Sequence, residues 1–361
     1  MAKVLIMAAG TGGHVFPGLA LARELMARGH EPMWLGTPQG MEQRWVPKAG
    51  IPLAAIDFKG LRSNGLKRWL LAPFAMFKAM TQALGIMRAQ RPALVIGMGG
   101  FVSGPGGLAA RLLGIPLIIH EQNAVPGLAN RLLAGFAVQV IQAFPGSFAD
   151  NPKVQTLGNP LRPEILALDG QKAPRPLDPR SVDRDALRIL VIGGSLGAQA
   201  LNEQVPAAVH TSGLEFEIRH QSGRGKEEAT RANYLKSGVK AQVSEFIEDM
   251  AEAYAWADLV ICRAGALTLA EITLVGLPAI LVPYPYAVDD HQTRNAAVMA
   301  DHGAGILLPQ SELSPERLAS CLRQLAETPE RLAEMALKAR ALARADSAQV
   351  IVNLCEQVMN P

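Results

Sequence analysis

The stretch Cys262-Arg263-Ala264-Gly265-Ala266-Leu267-Thr268-Leu269-Ala270-Glu271 holds residue types suited to binding a phosphorylated sugar. It follows an apolar run, 258–261, that reads as a buried strand, and leads into an amphipathic segment, 267–274, that reads as a helix. A sharp turn at Gly265 would leave the amides of Ala266, Leu267 and Thr268 unpaired at a helix start, where the helix dipole favours an anion. Thr268 and Glu271 share a helix face. A phosphate near Thr268 would then leave Glu271 in reach of hydroxyls on the same ligand. The stretch equally fits a strand–turn–helix of any α/β protein, so the other motifs must decide.

Two glycine loops recur, one per half: Gly10-Thr-Gly-Gly-His14 after the strand-like run 3–7, and Gly193-Gly-Ser-Leu-Gly197 after 187–192. Neither carries the full dinucleotide fingerprint, which disfavours a nicotinamide oxidoreductase. A third glycine-dense run, 99–107, reads as a loop where backbone approaches a partner closely. His120-Glu-Gln-Asn123 ends another apolar run, where polar residues would face the ligand crevice of a parallel sheet, or else cap a helix. Gln292, near the start of a helix from His291, offers donor and acceptor to a sugar hydroxyl. Asp183-Arg-Asp185 superficially resembles a metal-binding pair, but it lies in the proline- and charge-rich stretch 169–185 that reads as exposed loop.

These motifs need a scaffold, and the chain supplies it. At 361 residues two domains are the better prior. Hydrophobic content of 49% with 5% aromatics, Gly 34 and Pro 25 suits α/β layers with many tight turns. Strands at 3–7, 30–36, 51–58, 93–97, 116–119 and 138–143 alternate with helices at 15–28, 41–49 and 66–90, a doubly wound pattern. The second half repeats it with strands at 187–192, 215–221, 243–247, 258–261 and 278–283. Its helices are a segment through Val209, another ending at Ala257, and most of the chain after Ser314. Val350, Ile351, Leu354 and Val358 form the stripe of a last helix that must dock. The hinge 158–163 suggests domains 1–161 plus 343–361, and 162–342. Cys262, Cys321 and Cys355 have no metal spacing and point to a reducing compartment. The N-terminus reads as a first strand rather than a signal peptide, and no run is apolar enough to span a membrane.

The net charge of +3 is unevenly placed: no acid occurs between Asp57 and Glu121, a window holding Lys59, Arg62, Lys67, Arg68, Lys78, Arg88, Arg91 and Arg111. Within it, Leu66, Leu70, Phe77, Met80, Leu84 and Met87 fall at helical spacing and can face a core, leaving Trp69, Phe74 and Met76 among the cations. That combination predicts a membrane-associating surface at Lys67, Arg68, Trp69, Phe74 and Lys78, the alternative being a core helix with a solvated basic face.

Taken together, these motifs resemble the MurG family of N-acetylglucosaminyltransferases. The matching stretches are Gly10-Thr-Gly-Gly-His-Val-Phe-Pro-Gly18, 97–107, His120–Asn123, Arg263–Glu271 and His291-Gln-Thr-Arg-Asn-Ala296. Leu196 is a departure, since family members often carry glutamine there. The resemblance implies a GT-B fold of two Rossmann-like domains facing across a cleft, with the last helix crossing back to the first. It implies an inverting transfer of N-acetylglucosamine from UDP-GlcNAc to the 4-hydroxyl of the MurNAc-pentapeptide of undecaprenyl-diphosphate-linked lipid I, giving lipid II for peptidoglycan. No cofactor, metal or nucleic acid is implied. The implied location is peripheral, on the cytoplasmic face of the bacterial inner membrane, with anionic lipid and other cell-wall synthesis proteins as further candidate partners.

Carried over residue by residue, the resemblance puts Ser195 and the amides from Ala266 to Thr268 on the diphosphate, followed in the same motif by Leu269 and Ala270. The Ile247 backbone would pair with uracil and Glu271 with the ribose. Arg162 would lie beside the nucleotide, and Gln292 and Asn123 by the N-acetylglucosamine. Thr11, Gly12 and Gly13 would bind UDP-GlcNAc from the opposite side of the cleft, where the acceptor diphosphate is also expected. Such a transfer needs a general base, and imidazole chemistry selects His14, with Glu121 in reserve. His14 could instead only shape the glycine loop. A sugar-nucleotide epimerase of the same fold and a non-catalytic membrane scaffold are the competing functions.

Overall fold

The computed structural model describes residues 1–58, 66–171, 186–194 and 196–360, with the backbone alone for 66–71. Ser195, the 60–65 loop, the side chains of Lys67, Arg68 and Trp69, and the Asp183/Asp185 pair lie outside the described residues. The chain forms two compact units, Met1–Arg162 with Arg344–Pro361, and Pro163–Ala343.

In the first unit the elements run β1 (Lys3–Met7), α1 (Gly12–Ala27), β2 (Glu31–Gly36), α2 (Glu42–Lys48), β3 (Leu53–Ala55), α3 (Leu66–Gln90) and β4 (Leu94–Gly97). They continue with α4 (Ser103–Leu112), β5 (Leu117–Glu121), α5 (Leu128–Leu133), β6 (Gln139–Gln142) and β7 (Val154–Thr156). The sheet is parallel throughout, in the order β3-β2-β1-β4-β5-β6-β7. Strand alternation divides its core in two: Val4 and Ile6 pack on one face with α1, while Leu5 and Met7 pack on the other with α3 and α4.

The second unit holds α6 (Pro163–Leu166), β8 (Leu187–Ile192), α7 (Gln199–Ser212), β9 (Phe216–Gln221), α8 (Glu227–Lys236), β10 (Gln242–Ser244) and α9 (Met250–Trp256). Then come β11 (Leu259–Cys262), α10 (Ala266–Val275), β12 (Ala279–Leu281), α11 (His291–Asp301), β13 (Gly305–Leu307), α12 (Pro315–Glu327) and α13 (Pro329–Ala341). Its parallel sheet has the order β10-β9-β8-β11-β12-β13. The final helix, α14 (Ser347–Met359), packs in the first unit against α1, burying Ile351, Val352, Leu354 and Cys355. Arg28 and His30 tie its exposed side down through Glu356, at 3.1 Å each.

Several boundaries differ from those read in the sequence. Helix α1 starts at Gly12 and absorbs Gly12, Gly13 and His14. The glycine run 99–107 is loop only as far as Val102. Gly106 and Gly107 lie inside α4, where a Cβ would strike Met7 and Leu133, so their small size serves close helix packing. On α3 the buried residues are Ala79, Ala83 and Met87, with Met76, Met80 and Leu84 packed beside them, while Phe77 points out at 63% exposure. The inward face thus uses alanines where the helix meets α4, and Phe77 and Met76 exchange their expected sides. Strand β10 ends at Ser244, so Ile247 sits in the loop that follows.

Candidate active site

In each sheet the strand order reverses at one place, between β1 and β4 in the first and between β8 and β11 in the second. Ligands of open parallel sheets bind outside the carboxyl ends of strands at such a switch point. The loops there are those carrying the motifs: Gly10 and Gly99 in the first unit, Gly193–Gly197 and Arg263–Gly265 in the second.

In the first unit, α1 begins behind Thr11, whose extended backbone makes it the N-cap and whose hydroxyl caps nothing. The exposed Thr11 and Gly13 and the half-buried Gly12 therefore present helix-start amides without a side-chain cap. Buried Glu42 fixes the approach: one oxygen accepts from the Gly10 amide at 3.2 Å, the other from the Thr37 amide and hydroxyl at 2.8 Å each. A lone acid after a turn gave no sequence signal for this role. Half-buried His14 lies on the first turn, against Gly99. A Cβ at Gly99 would come within 3.1 Å of the imidazole, and its φ of +89° favours glycine as well. His14 Nδ1 lies 2.9 Å from Gln122 Oε1, Gln122 Nε2 lies 2.9 Å from His120 Nδ1, and His120 Nε2 lies 2.9 Å from the Gly158 carbonyl.

Glu121, the reserve base, is 2% exposed and engaged at both oxygens. Oε1 accepts from the Asn123 amide (3.0 Å) and side chain (3.3 Å), Oε2 from the Gly127 amide (3.0 Å) and Asn130 (2.9 Å). Four donors and burial hold this carboxylate in the loop after β5, where it organises the chain. The Asn123 side chain is turned into the same network. Arg162 stacks over the Phe16 ring at 5.5 Å, two residues along α1 from His14. His14, Thr11, Gly12, Gly13, Glu121, Asn123 and Arg162 thus all belong to one unit, and Ile247, residues 266–271 and Gln292 to the other.

In the second unit, α10 starts behind Gly265, with no side-chain cap and its first internal bond from the Leu269 amide to Gly265 at 3.0 Å. The amides of Ala266, Leu267 and Thr268 are those an α-helix leaves without an internal partner. Gly265 itself has φ −68°, and a Cβ would meet Thr268 Oγ1 at an ordinary 3.7 Å. The turn therefore does not require glycine; what glycine contributes is the absence of a capping side chain. Leu269 is core, while Thr268 and Ala270 are half-buried. Glu271 is 4% exposed and held by the Tyr254 hydroxyl at 2.9 Å, more enclosed than a surface sugar reader. Gln292 uses its Oε1 to accept from the Tyr284 amide at 2.9 Å, so its acceptor end is committed and its amino end is the one suited to a ligand. Ile247 is half-buried beside the exposed Phe246.

Residues outside the predicted set hold this frame. Arg263 donates to the carbonyls of Val282 and Pro283 (3.0 Å each) and to Gln310, clamping the chain after β12, and burial lowers its pKa. Buried Asn295, from α11, donates to the Ala264 carbonyl at 3.1 Å and steadies the turn into α10. His220 links Asn202 and Tyr234 beneath the Gly193–Gly197 loop, and Asn202 passes the tie to the Ser222 carbonyl. The sequence motifs contain Arg263 and Asn295, and His220 lies in the strand read at 215–221, but nothing in their spacing separates a clamp from a ligand contact.

Burial depresses the two interior histidines, His120 to about 4 and His220 to about 3. Both folded values lie below the usual histidine value, so the unfolded chain takes up these protons first as pH falls. Stability should therefore be full above about pH 6.5 and decline below it, by roughly 1 kcal/mol per pH unit for each histidine until its folded value is reached. Urea unfolding between pH 7.5 and 5 is expected to show this decline, with His220→Gln removing part of it. A flat wild-type profile would contradict the assignment.

The glycosyltransferase family 28 N-terminal domain matches residues 4–142, and the family 28 C-terminal domain matches 188–351. A UDP-N-acetylglucosamine–N-acetylmuramyl-(pentapeptide) pyrophosphoryl-undecaprenol N-acetylglucosamine transferase of Pseudomonas aeruginosa (strain LESB58) is 53% identical over 99% of this chain and 98% of its own. One of the same name from Aeromonas hydrophila is 52% identical over 98% of this chain and 96% of its own. The crystal structure of Acinetobacter baumannii MurG superposes with a TM-score of 0.83 at 45% identity, over 99% of this chain and 100% of that one. With two parallel-sheet α/β units of GT-B type and full-length identity at this level, the chain belongs to glycosyltransferase family 28, in the MurG family of N-acetylglucosamine transferases.

Proposed function

We propose that the chain transfers N-acetylglucosamine from UDP-GlcNAc to the 4-hydroxyl of the N-acetylmuramyl-pentapeptide carried on undecaprenyl diphosphate, inverting the anomeric centre and producing lipid II. The observation that carries this reading is the full-length 53% identity to a relative named for that transfer. In this reading the second unit holds the donor: the amides of Ala266, Leu267 and Thr268, with Ser195, take the diphosphate, and Leu269 and Ala270 continue that helix turn. Ile247 offers its backbone to uracil, Glu271 meets the ribose, and the amino end of Gln292 meets the N-acetylglucosamine. Arg162 and Asn123 contribute from the first unit, and the α1 start at Thr11, Gly12 and Gly13 takes the acceptor diphosphate. His14 Nε2 accepts the proton of the acceptor hydroxyl as its oxygen bonds to the anomeric carbon. The bond to UDP breaks with its electron pair leaving on the β-phosphate, where helix-start amides spread the charge. Incubation with labelled UDP-GlcNAc and the lipid acceptor is expected to put label on the lipid. Donor alone should stay unchanged, whereas a 2-epimer in that control would favour an epimerase.

The reading extends to the cytoplasmic membrane face and to a role in cell-wall growth, cell shape and division. Phe74 (75% exposed) and Phe77 on α3 lie out of the core, α4 packed beside α3 exposes Leu112, and α5 beyond it exposes Leu128 and Leu132. Lys78 spends part of its charge on Asp57 at 2.8 Å, so it contributes less than its position in the basic window suggests. No helix among the described residues is long and apolar enough to cross a membrane. Vesicles containing anionic lipid should bind the protein, and Phe74→Ser with Phe77→Ser should weaken binding roughly tenfold or more. Salt and replacement of Lys67, Arg68 and Trp69 should weaken it further; binding indifferent to all of these would contradict the surface.

A further inference from the structure

Four groups in the first unit form one hydrogen-bonded line, from His14 through Gln122 and His120 to the carbonyl of Gly158. The donors in this line can be assigned from its far end. A carbonyl only accepts, so His120 Nε2 carries a proton and donates to Gly158. His120 is fully buried, and desolvation keeps it neutral, its pKa lowered to about 4. A neutral imidazole has one N–H, so His120 Nδ1 is a bare acceptor and must face the amide nitrogen of Gln122. The His120 carbonyl, 3.3 Å from the same nitrogen, requires the same orientation independently. Gln122 therefore turns its oxygen toward His14, and an amide oxygen only accepts. His14 Nδ1 must be the donor, and His14 Nε2 is left with its lone pair.

We propose that Gln122 and His120 are positioning residues that lock His14 in the Nδ1–H tautomer, so that Nε2 is always the basic nitrogen. The proposal rests on the reading of His14 as the base. A tautomer set by a hydrogen bond on the other ring nitrogen is a known requirement of imidazole bases, and the wrong tautomer disables them. The device here ends on a buried neutral histidine and a carbonyl instead of a carboxylate. It orients the imidazole, but an amide cannot relay the proton inward, so the proton taken from the acceptor stays on Nε2 until solvent or product removes it. The other titratable groups around His14 are already committed: Glu121 to the loop after β5, Glu42 to Gly10 and Thr37, and Arg162 to the Phe16 ring.

Nitrogen-15 spectra of the histidine-labelled full-length protein at pH 8 test the lock without reference to activity. His14, identified by its loss in His14→Ala, should show a protonated Nδ1 and a bare Nε2. A protonated Nε2 or a fast mixture of tautomers in the wild type would overturn the proposal. Gln122→Met keeps the side-chain length and removes both polar ends. It should let the Nε2–H form appear and lower kcat roughly tenfold or more with donor KM unchanged. A fall in kcat with the tautomer unmoved would reduce Gln122 to a packing role and overturn the proposal. The locked tautomer in a protein without transfer activity would sustain the lock and overturn the functional reading beneath it.

Discussion

Replacing His14 by alanine is expected to lower kcat about 10²-fold or more while leaving UDP-GlcNAc affinity near that of the parent. The split follows from where the parts reside. His14 lies on the first turn of α1, in the first unit, whereas the helix-start amides, Glu271 and Gln292 lie in the second. A base that meets only the acceptor hydroxyl contributes to the transition state and little to donor binding. With Glu121 committed to four donors, no second carboxylate at this loop is placed to substitute. Steady-state kinetics with the lipid acceptor, paired with UDP-GlcNAc titration, separates the two quantities. Full turnover in His14→Ala would remove the imidazole from the mechanism, and a matched loss of donor affinity would place it with the nucleotide instead.

Gly197→Ala should damage the donor unit far more than Gly213→Ala, although the two glycines have nearly the same backbone, φ +69° and +70°. The left-handed conformation costs each substitution roughly 1–3 kcal/mol. At Gly213, the C-terminal cap of α7, a new Cβ meets nothing within 4 Å, so the cost should end there. At Gly197 the Cβ would sit inside the contact distance of the Ser222 carbonyl oxygen, and the facing Gly223 is equally tight against Gly197. Two backbone segments cannot yield as a flexible side chain would. The loop after β8 must open, at a cost well above that of the strain alone. Since that loop leads to Ser195 and α7, UDP binding should fall with stability. Urea unfolding and UDP titration of both variants test this; equal losses would mean that the loop contact carries no weight.

The elements that were legible in the sequence are those whose apolar pattern has one cause. Buried parallel strands such as Val4–Met7 and Ile189–Ile192 are continuous apolar runs because both faces are covered. Helix α8 leaves no periodic signal in the sequence because it buries only Thr230 and Tyr234, too thin a stripe to create a period. Strands β7 and β13 are three half-buried residues each and lack the fully buried run that marks the equally short β12. On α3 the expected face keeps Met80, Leu84 and Met87 at the core, while small Ala79 and Ala83, which carry no strong apolar signal, fill its centre and Phe77 points outward.

For the candidate site, residue types mark the stretches at the strand ends, and their spacing does not separate contact from support. Glu121 and Asn123 sit in one motif with Gln122, yet only geometry shows Glu121 tied into its loop and Gln122 aimed at His14. Glu271 lies on the expected face of α10 but is nearly enclosed, because Tyr254 reaches it from α9, a partner seventeen residues away in sequence. Gln292 was read as both donor and acceptor, and the Tyr284 amide takes the acceptor. Each of these differences comes from a specific side-chain hydrogen bond, which periodicity does not encode.

The configuration of the newly formed glycosidic bond tests the central claim most directly. A single displacement, with His14 removing the proton and UDP leaving from the opposite face, converts the α-linked donor into a β1,4-linked product in one step. Proton NMR of the disaccharide released from the lipid product should show the β configuration, linked to the 4-hydroxyl of the N-acetylmuramyl residue. An α-linked product, a different linkage position, or UDP released with no sugar on the lipid would contradict the account.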